Sequence, residues 1–266
     1  MTPFPRPSAS CSAPALLDSL VGLAGPGGAL DLAAAGEFFH GDRRYELPRI
    51  RIVGPDAGHD PIRLGLFAGV HGDEPAGCAA LVQFAAALAA APERAAGYEL
   101  SLYPLVNPVG CERGTRANHT GLDLNREFWR GSEQPEVRLL EAELRAQAFH
   151  GLITLHADDT CEGVYGYTHG RTLDEALLEP ALRAAEATLR RDRRPVIDGF
   201  AARDGHICDC YPGVLSAPPE QKPQPFNVIF ETPAEAPLDL QVAASVAALD
   251  AIIGVYRGFI GYAQNI

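Results

Sequence analysis

Residues 63–91 read RLGLFAGVHGDEPAGCAALVQFAAALAAA. The first eight are almost wholly apolar, the pattern of a strand buried on both faces. Polar residues 71–74 interrupt the run, and residues 74–91 are alanine-rich, with Pro75 where a helix opens. A buried strand passing through a short polar turn into a helix is half of a βαβ unit, so this stretch selects an α/β fold. Downstream, residues 99–106 read as the next strand and 136–149 as a helix opened by Pro135. Residues 152–155 form a short buried strand, 173–190 a helix ending in arginines, 227–230 a strand and 238–256 a closing helix. Upstream, residues 37–40 and 45–53 flank Gly41-Asp42 and predict a β-hairpin. No linker, composition break or internal repeat divides the chain. The expectation is one α/β domain, residues 37–266, with a central mixed, mostly parallel twisted sheet flanked by helices. A partly helical extension, residues 1–36, precedes it.

Of 266 residues, 47% are hydrophobic and 21% charged, a balance that supports a packed core rather than a disordered chain. Lys+Arg number 22 and Asp+Glu 34, so the net charge is 22 − 34 = −12. Phosphate neutralisation needs clustered cations, so nucleic acid is excluded as a partner. No stretch approaches the roughly 18–20 apolar residues of a membrane span, and no membrane partner is expected. Residues 1–13 are rich in Pro and Ser and lack the apolar core of a secretory signal. Six scattered cysteines in a chain of this size indicate reduced thiols, and with them a cytoplasmic location. Lys222 is the one lysine, so arginine carries nearly all the positive charge. Arginine suits bidentate carboxylate recognition, but base composition accounts for most of this bias.

Four segments place polar residues where buried strands end, the usual ligand position in open α/β sheets. In His71-Gly-Asp-Glu74, an imidazole and a carboxylate stand three apart at a strand-to-helix junction. Both are good divalent-metal ligands, although a helix-capping acid beside a solvated histidine has the same pattern. His156 closes an apolar strand and is followed by Asp158 and Asp159, which either orient an imidazole or form a turn. The polar segment 107–128 contains Asn107-Pro-Val-Gly110, Arg113, Arg116 and Asp123-Leu-Asn125-Arg126-Glu-Phe128. A loop of that length is more than a connection, and its arginines and asparagines suit a carboxylate or an oxyanion. Glu231 follows three apolar strand residues, and desolvation there would raise its pKa towards that of a general base.

Each segment alone is ambiguous. Taken together, His71-x-x-Glu74, the Asn-Pro-x-Gly loop with Arg116, Asp-Leu-Asn125-Arg126-x-Phe128, strand-end His156 and Glu231-Thr-Pro resemble the zinc carboxypeptidase superfamily. It includes carboxypeptidase A-like enzymes, murein-peptide amidases and the succinylglutamate desuccinylase/aspartoacylase branch. The resemblance runs from about Glu37 to the C-terminus. It implies a zinc-carboxypeptidase-like fold and one Zn2+ per chain held by His71, Glu74 and His156. Arg116 would polarise the scissile carbonyl, Asn125 and Arg126 would hold a substrate carboxylate, and Glu231 would be the general base and acid. Carboxypeptidases add a mobile tyrosine some twenty residues before that base. Tyr211 has the spacing, with Tyr165 and Tyr167 as rivals.

The implied activity is zinc-dependent cleavage of an amide beside a free carboxylate, most simply by a carboxypeptidase. The implied substrate is a small peptide or N-acyl amino acid. An N-acyl amino acid deacylase or murein-peptide amidase is the near alternative, and a non-catalytic binding protein retaining the fold is the remote one. Only 35 residues (266 − 231) follow Glu231, too few for the β-rich domain of the aspartoacylase branch, which favours the peptidase. His206, Cys208 and Cys210 are too crowded for an ordinary zinc cage, so the cysteines are read as small core residues. Residues 205–226 hold five prolines and read as a wall or lid over the substrate. Arg203 and Lys222 are expected to be surface charge, as are His40, His59, His119, His150 and His169 to be surface or core histidines.

Overall fold

The computed structural model describes residues 30–168 and 172–263. A β-hairpin opens the fold, β1 (Leu30–His40) pairing antiparallel with β2 (Arg43–Val53). It begins at Leu30 rather than at residue 37. The hydrophobic pattern misses that start because Leu32-Ala-Ala-Ala35 has no alternation, while its backbone register is set by β2. The decisive stretch then gives β3 (Ile62–Phe67) and α1 (Pro75–Ala90), followed by β4 (Tyr98–Tyr103). The polar segment after β4 contains a short helix, α2 (Pro108–Arg113), capped by the Asn107 side chain, which accepts from Gly110 N at 2.9 Å. Next come α3 (Pro135–Gln147), β5 (Gly151–Asp158), β6 (Tyr165–Tyr167) and α4 (Thr172–Ala185). Short strands β7 (Val196–Ile197), β8 (Phe200–Ala201) and β9 (His206–Ile207) precede β10 (Phe226–Pro233) and α5 (Leu238–Ala263).

Eight strands form one mixed sheet in the order β1-β2-β4-β3-β5-β10-β6-β9. Its centre, β4-β3-β5-β10, is wholly parallel, and antiparallel pairs join the hairpin and β6 to it. The chain leaves β3 towards β4 and later returns on the other side as β5. The carboxyl ends of β3 and β5 therefore flank a topological switch point, where open sheets leave a crevice.

Strand alternation decides which residues reach that crevice. Leu64, Leu66, Leu100, Leu102, Ile153, Leu155, Phe226, Val228 and Phe230 pack under α1, α4 and α5. Phe67, Tyr103 and Leu152 face the other way, against α3 and the hairpin. By the same parity His156 on β5 and Glu231 on β10 share the second face, and they are register partners.

Two further expectations change. The helix read over 173–190 leaves its path at Ala185, and the chain turns to bury Arg191 between Glu179 and Glu186 at 2.8 and 3.1 Å. The closing helix is long and apolar enough to cross a membrane by length and composition, contrary to the sequence expectation of no such stretch. Its Ala244, Ala248, Leu249 and Ile252 are instead fully buried against α4 and α1. Residues 1–29 and His169 lie outside the described residues. No disulfide occurs among the described cysteines Cys78, Cys111, Cys161, Cys208 and Cys210.

Candidate metal centre and substrate pocket

His71 lies in the turn after β3 and is 3% exposed, and Glu74 occupies the N-cap of α1 at 6%. Glu74 makes no capping bond, so the helix-capping reading fails. Its carboxylate turns into the crevice, where Oε1 accepts from His71 Nδ1 at 2.5 Å and Oε2 from His156 Nδ1 at 2.9 Å. Ala157 N–H also donates to Oε2 at 3.2 Å. The two Nδ1 atoms are 3.2 Å apart. All three side chains are buried, with ligand atoms within 4.8 Å of one another. Among the described residues no other such cluster occurs.

These residues fit a divalent ion. Two imidazole nitrogens and one carboxylate are the usual protein share of a catalytic site, and here all three are buried at one point of the crevice. His71 Nε2 lies 3.0 Å from Asp123 Oδ1, an arrangement that leaves Nδ1 as the inward donor and strengthens it as a ligand. Asn125 Nδ2 lies 3.5 Å from His156 Nε2, while Asn125 Oδ1 accepts from Leu215 N at 2.9 Å. Burial alone would lower the His71 pKa, but Glu74 and Asp123 outweigh it and raise it to about 9. Burial raises Glu74, and the two imidazoles outweigh it, holding the carboxyl well below the usual carboxylate range. His156 is held below its ordinary value by burial, against the pull of Glu74.

A cavity of about 440 Å³ opens from this cluster, and Arg116, Asn125, Arg126, Tyr211 and Glu231 all line it. Arg116 bridges Glu74 Oε1 at 3.3 Å and Asp123 Oδ2 at 3.0 Å. Gly72 packs so tightly on Gly110 that a Cβ would stand 2.0 Å from its carbonyl carbon, which fixes the turn carrying His71 against the loop carrying Arg116. Arg126 donates to the Asn125 carbonyl at 2.8 Å, and its guanidinium lies 4.0 Å from the Tyr211 ring centre. Gly213, at φ 80°, lies against the Arg126 carbonyl, where a Cβ would stand at 2.2 Å. The proline-rich segment thus forms the wall expected of it through Cys210, Tyr211 and Val214. Glu231 is 9% exposed; burial first, then Glu74, Asp158 and Asp198, push its pKa well up against the opposing Arg116.

The structure also supplies residues that the sequence reading left without a role. Asp123 was visible only as part of its motif; an acid two residues before Asn125 was the available signal. Asp158 orients no imidazole: its Oδ2 accepts from Tyr165 OH at 3.0 Å and its Oδ1 from Thr160 N at 2.7 Å. Tyr165, Tyr167 and Tyr211 all line the cavity, joined by Asp198, which no pattern in the chain marks. His206, Cys208 and Cys210 do not converge. His206 meets Glu179 at 3.2 Å, and Cys208 is exposed beside Glu175 rather than in the core, because its two-residue neighbour β9 sits at the sheet edge. Arg113 lies beside His40 at 2.9 Å, and neither Arg203 nor Lys222 lines the cavity.

A sequence model of the succinylglutamate desuccinylase/aspartoacylase catalytic domain matches residues 61–160. No curated protein matches the chain in sequence. Among solved structures, a candidate metallopeptidase of Shewanella denitrificans superposes with TM-score 0.76 at 24% identity, covering 91% of this chain and 89% of its own. A metallo-carboxypeptidase of Burkholderia cenocepacia gives TM-score 0.70 at 15% identity, over 92% of this chain and 68% of that one. The murein-tripeptide amidase of Escherichia coli gives 0.56 at 19% identity, over 86% and 93%. The fold and the family match over residues 61–160 support the resemblance to the zinc carboxypeptidase-like superfamily. The structures it resembles bear the names of hydrolases of peptide and amide bonds.

Proposed function

We propose that the chain is a zinc-dependent hydrolase that cleaves an amide beside a free carboxylate. The observation that carries this reading is the juxtaposition, in one cavity, of the buried His71-Glu74-His156 cluster with Glu231, the register partner of His156. A metal bound by the three side chains supplies Lewis acidity and lowers the pKa of water. Glu231, buried and carrying a raised pKa, takes a proton from the attacking water and returns it to the leaving nitrogen. Arg116 presents fixed positive charge at the metal end of the cavity, where negative charge develops on the carbonyl oxygen. Asn125 and Arg126 hold the substrate carboxylate, and Tyr211, stacked under Arg126, keeps that guanidinium in place.

An N-acyl amino acid deacylase is the second reading, favoured by the family match over residues 61–160. Both readings need a free carboxylate next to the cleaved bond. The test is metal analysis of the purified protein together with hydrolysis of three sets of compounds: peptides with free C-termini, the same peptides amidated, and N-succinyl or N-acetyl amino acids. One zinc per chain and turnover confined to free carboxylates is the expected result. Equal turnover of free and amidated peptides would refute it, and exclusive cleavage of the N-acyl amino acids would select the deacylase.

A further inference from the structure

A second cavity, of about 500 Å³, lies at the start of β10 and shares no lining residue with the metal cavity. Ala217, Pro219, Pro225 and Asn227 line it, with Asp174 from the first turn of α4. By strand parity Asn227 takes the same face of the sheet as Glu231, which stands four residues and about 13 Å further along the strand. The Asn227 carboxamide is buried, with the residue 5% exposed, and neither Oδ1 nor Nδ2 has a hydrogen-bond partner among the described residues. Burying an amide with both atoms unmet is costly, and nearly all such groups in folded proteins are paired. An apolar side chain would fill this strand position without that cost.

The chain around the cavity holds it in shape. The Ser216 carbonyl accepts from Trp129 Nε1 at 3.0 Å, and Gln221 Nε2 donates to the Phe149 carbonyl at 2.7 Å. Ala217 and Pro219 are therefore anchored on both sides and do not close onto Asn227. Apolar walls around one or two placed polar groups, enclosing several hundred Å³, are the usual make-up of a small-molecule site.

Asn227 decides the class of ligand. Its oxygen accepts and its nitrogen donates, side by side. A carboxylate can only accept and would leave Oδ1 unmet. An ammonium or amidinium can only donate and would leave Nδ2 unmet. An amide edge, N–H beside C=O, meets both atoms at once and brings no charge into a buried site. The two pyrrolidine rings and the Ala217 methyl give apolar contact for a ring. We propose that this cavity binds a small neutral ring compound carrying an amide edge, which Asn227 receives through paired hydrogen bonds.

Four probes of one shape test this: benzamide, N,N-dimethylbenzamide, benzoate and benzamidine, titrated into the full chain by ligand-observed NMR and soaked into its crystals. Benzamide should bind with a dissociation constant of about 1 mM, in keeping with its size, and sit against Asn227. Each of the other three leaves at least one Asn227 atom unmet and should bind at least about 10-fold more weakly. Asn227→Leu removes both unmet atoms at nearly the same shape. It should abolish benzamide binding while its urea midpoint stays at or above that of the parent. Equal binding of the four probes, tighter binding of benzamidine or benzoate, or water without benzamide beside Asn227 would overturn the inference. So would benzamide binding unchanged in Asn227→Leu, or a lowered urea midpoint, which would give the carboxamide a purely structural role.

Discussion

Two parts of the cavity wall differ in how the chain holds them. At the metal end His71, Glu74 and His156 stand within a few residues of the buried central strands β3 and β5 and the N-cap of α1, and Arg116 brings positive charge. Beside it, Tyr165, Tyr167, Asp198 and Tyr211 come from short strands and loops, with Asp198 held by the Tyr167 hydroxyl. The first arrangement inherits its rigidity from a parallel sheet packed on both faces. The second depends on side-chain hydrogen bonds between segments far apart in sequence. The candidate metal ligands thus sit on the sheet's buried core, and the tyrosine and Asp198 wall on segments more easily altered by loop changes.

Substitutions in the two parts can break that contrast. The largest loss is expected from Glu231→Gln, which should reduce kcat by about 10²–10⁴-fold, the range of general acid–base contributions, while one metal per chain is retained by elemental analysis. Loss of the metal as well would show that Glu231 belongs to the ion-holding end. Arg116→Ala should lower kcat/KM by about 10²–10³-fold if its charge meets the developing oxyanion. An effect on KM alone, in steady-state kinetics, would place it with substrate binding instead.

Asp123→Asn should weaken metal affinity by about 10–100-fold, the usual effect of losing the partner that orients a ligand histidine. The comparison is best made near pH 9.5, where protons compete least. In the metal-free chain His71 has its pKa raised to about 9, so below that pH a metal must displace its proton. Affinity should therefore fall by about a decade per pH unit on acidification below 9, with about one proton released per metal in calorimetry across buffers. A pH-independent affinity between 7 and 9 would contradict the assigned role of Nδ1. The smallest effect belongs to the tyrosine wall. Tyr167→Phe removes one hydrogen bond to Asp198, which should lower stability by about 1 kcal/mol in denaturant unfolding. No change there would mean that Asp198 is positioned by its backbone alone.

The same contrast explains what was legible in advance. His71, Glu74, His156 and Glu231 could be read because a buried strand announces itself by composition, and a polar residue at its end has few places to go. Strand parity then puts His156 and Glu231 on one face without further information. Asp198 could not be read: it sits between β7 and β8, each of two residues, and reaches the cavity only because Tyr167 and Tyr211 bring that loop to the pocket wall. The edge strands β6 and β9 were missed for a related reason. Strands of three and two residues show no periodicity, and β6 exists because β10 offers it a partner.

Local periodicity, beginning with residues 63–91, determined the α/β class, and residue chemistry at strand ends singled out His71, Glu74, His156 and Glu231. Tertiary structure decided the pairing of His71 with Asp123, the burial of the apolar closing helix in the core, and the tyrosine and Asp198 wall of the cavity. Those depend on contacts between residues tens of positions apart, and such contacts leave no period in the chain that makes them.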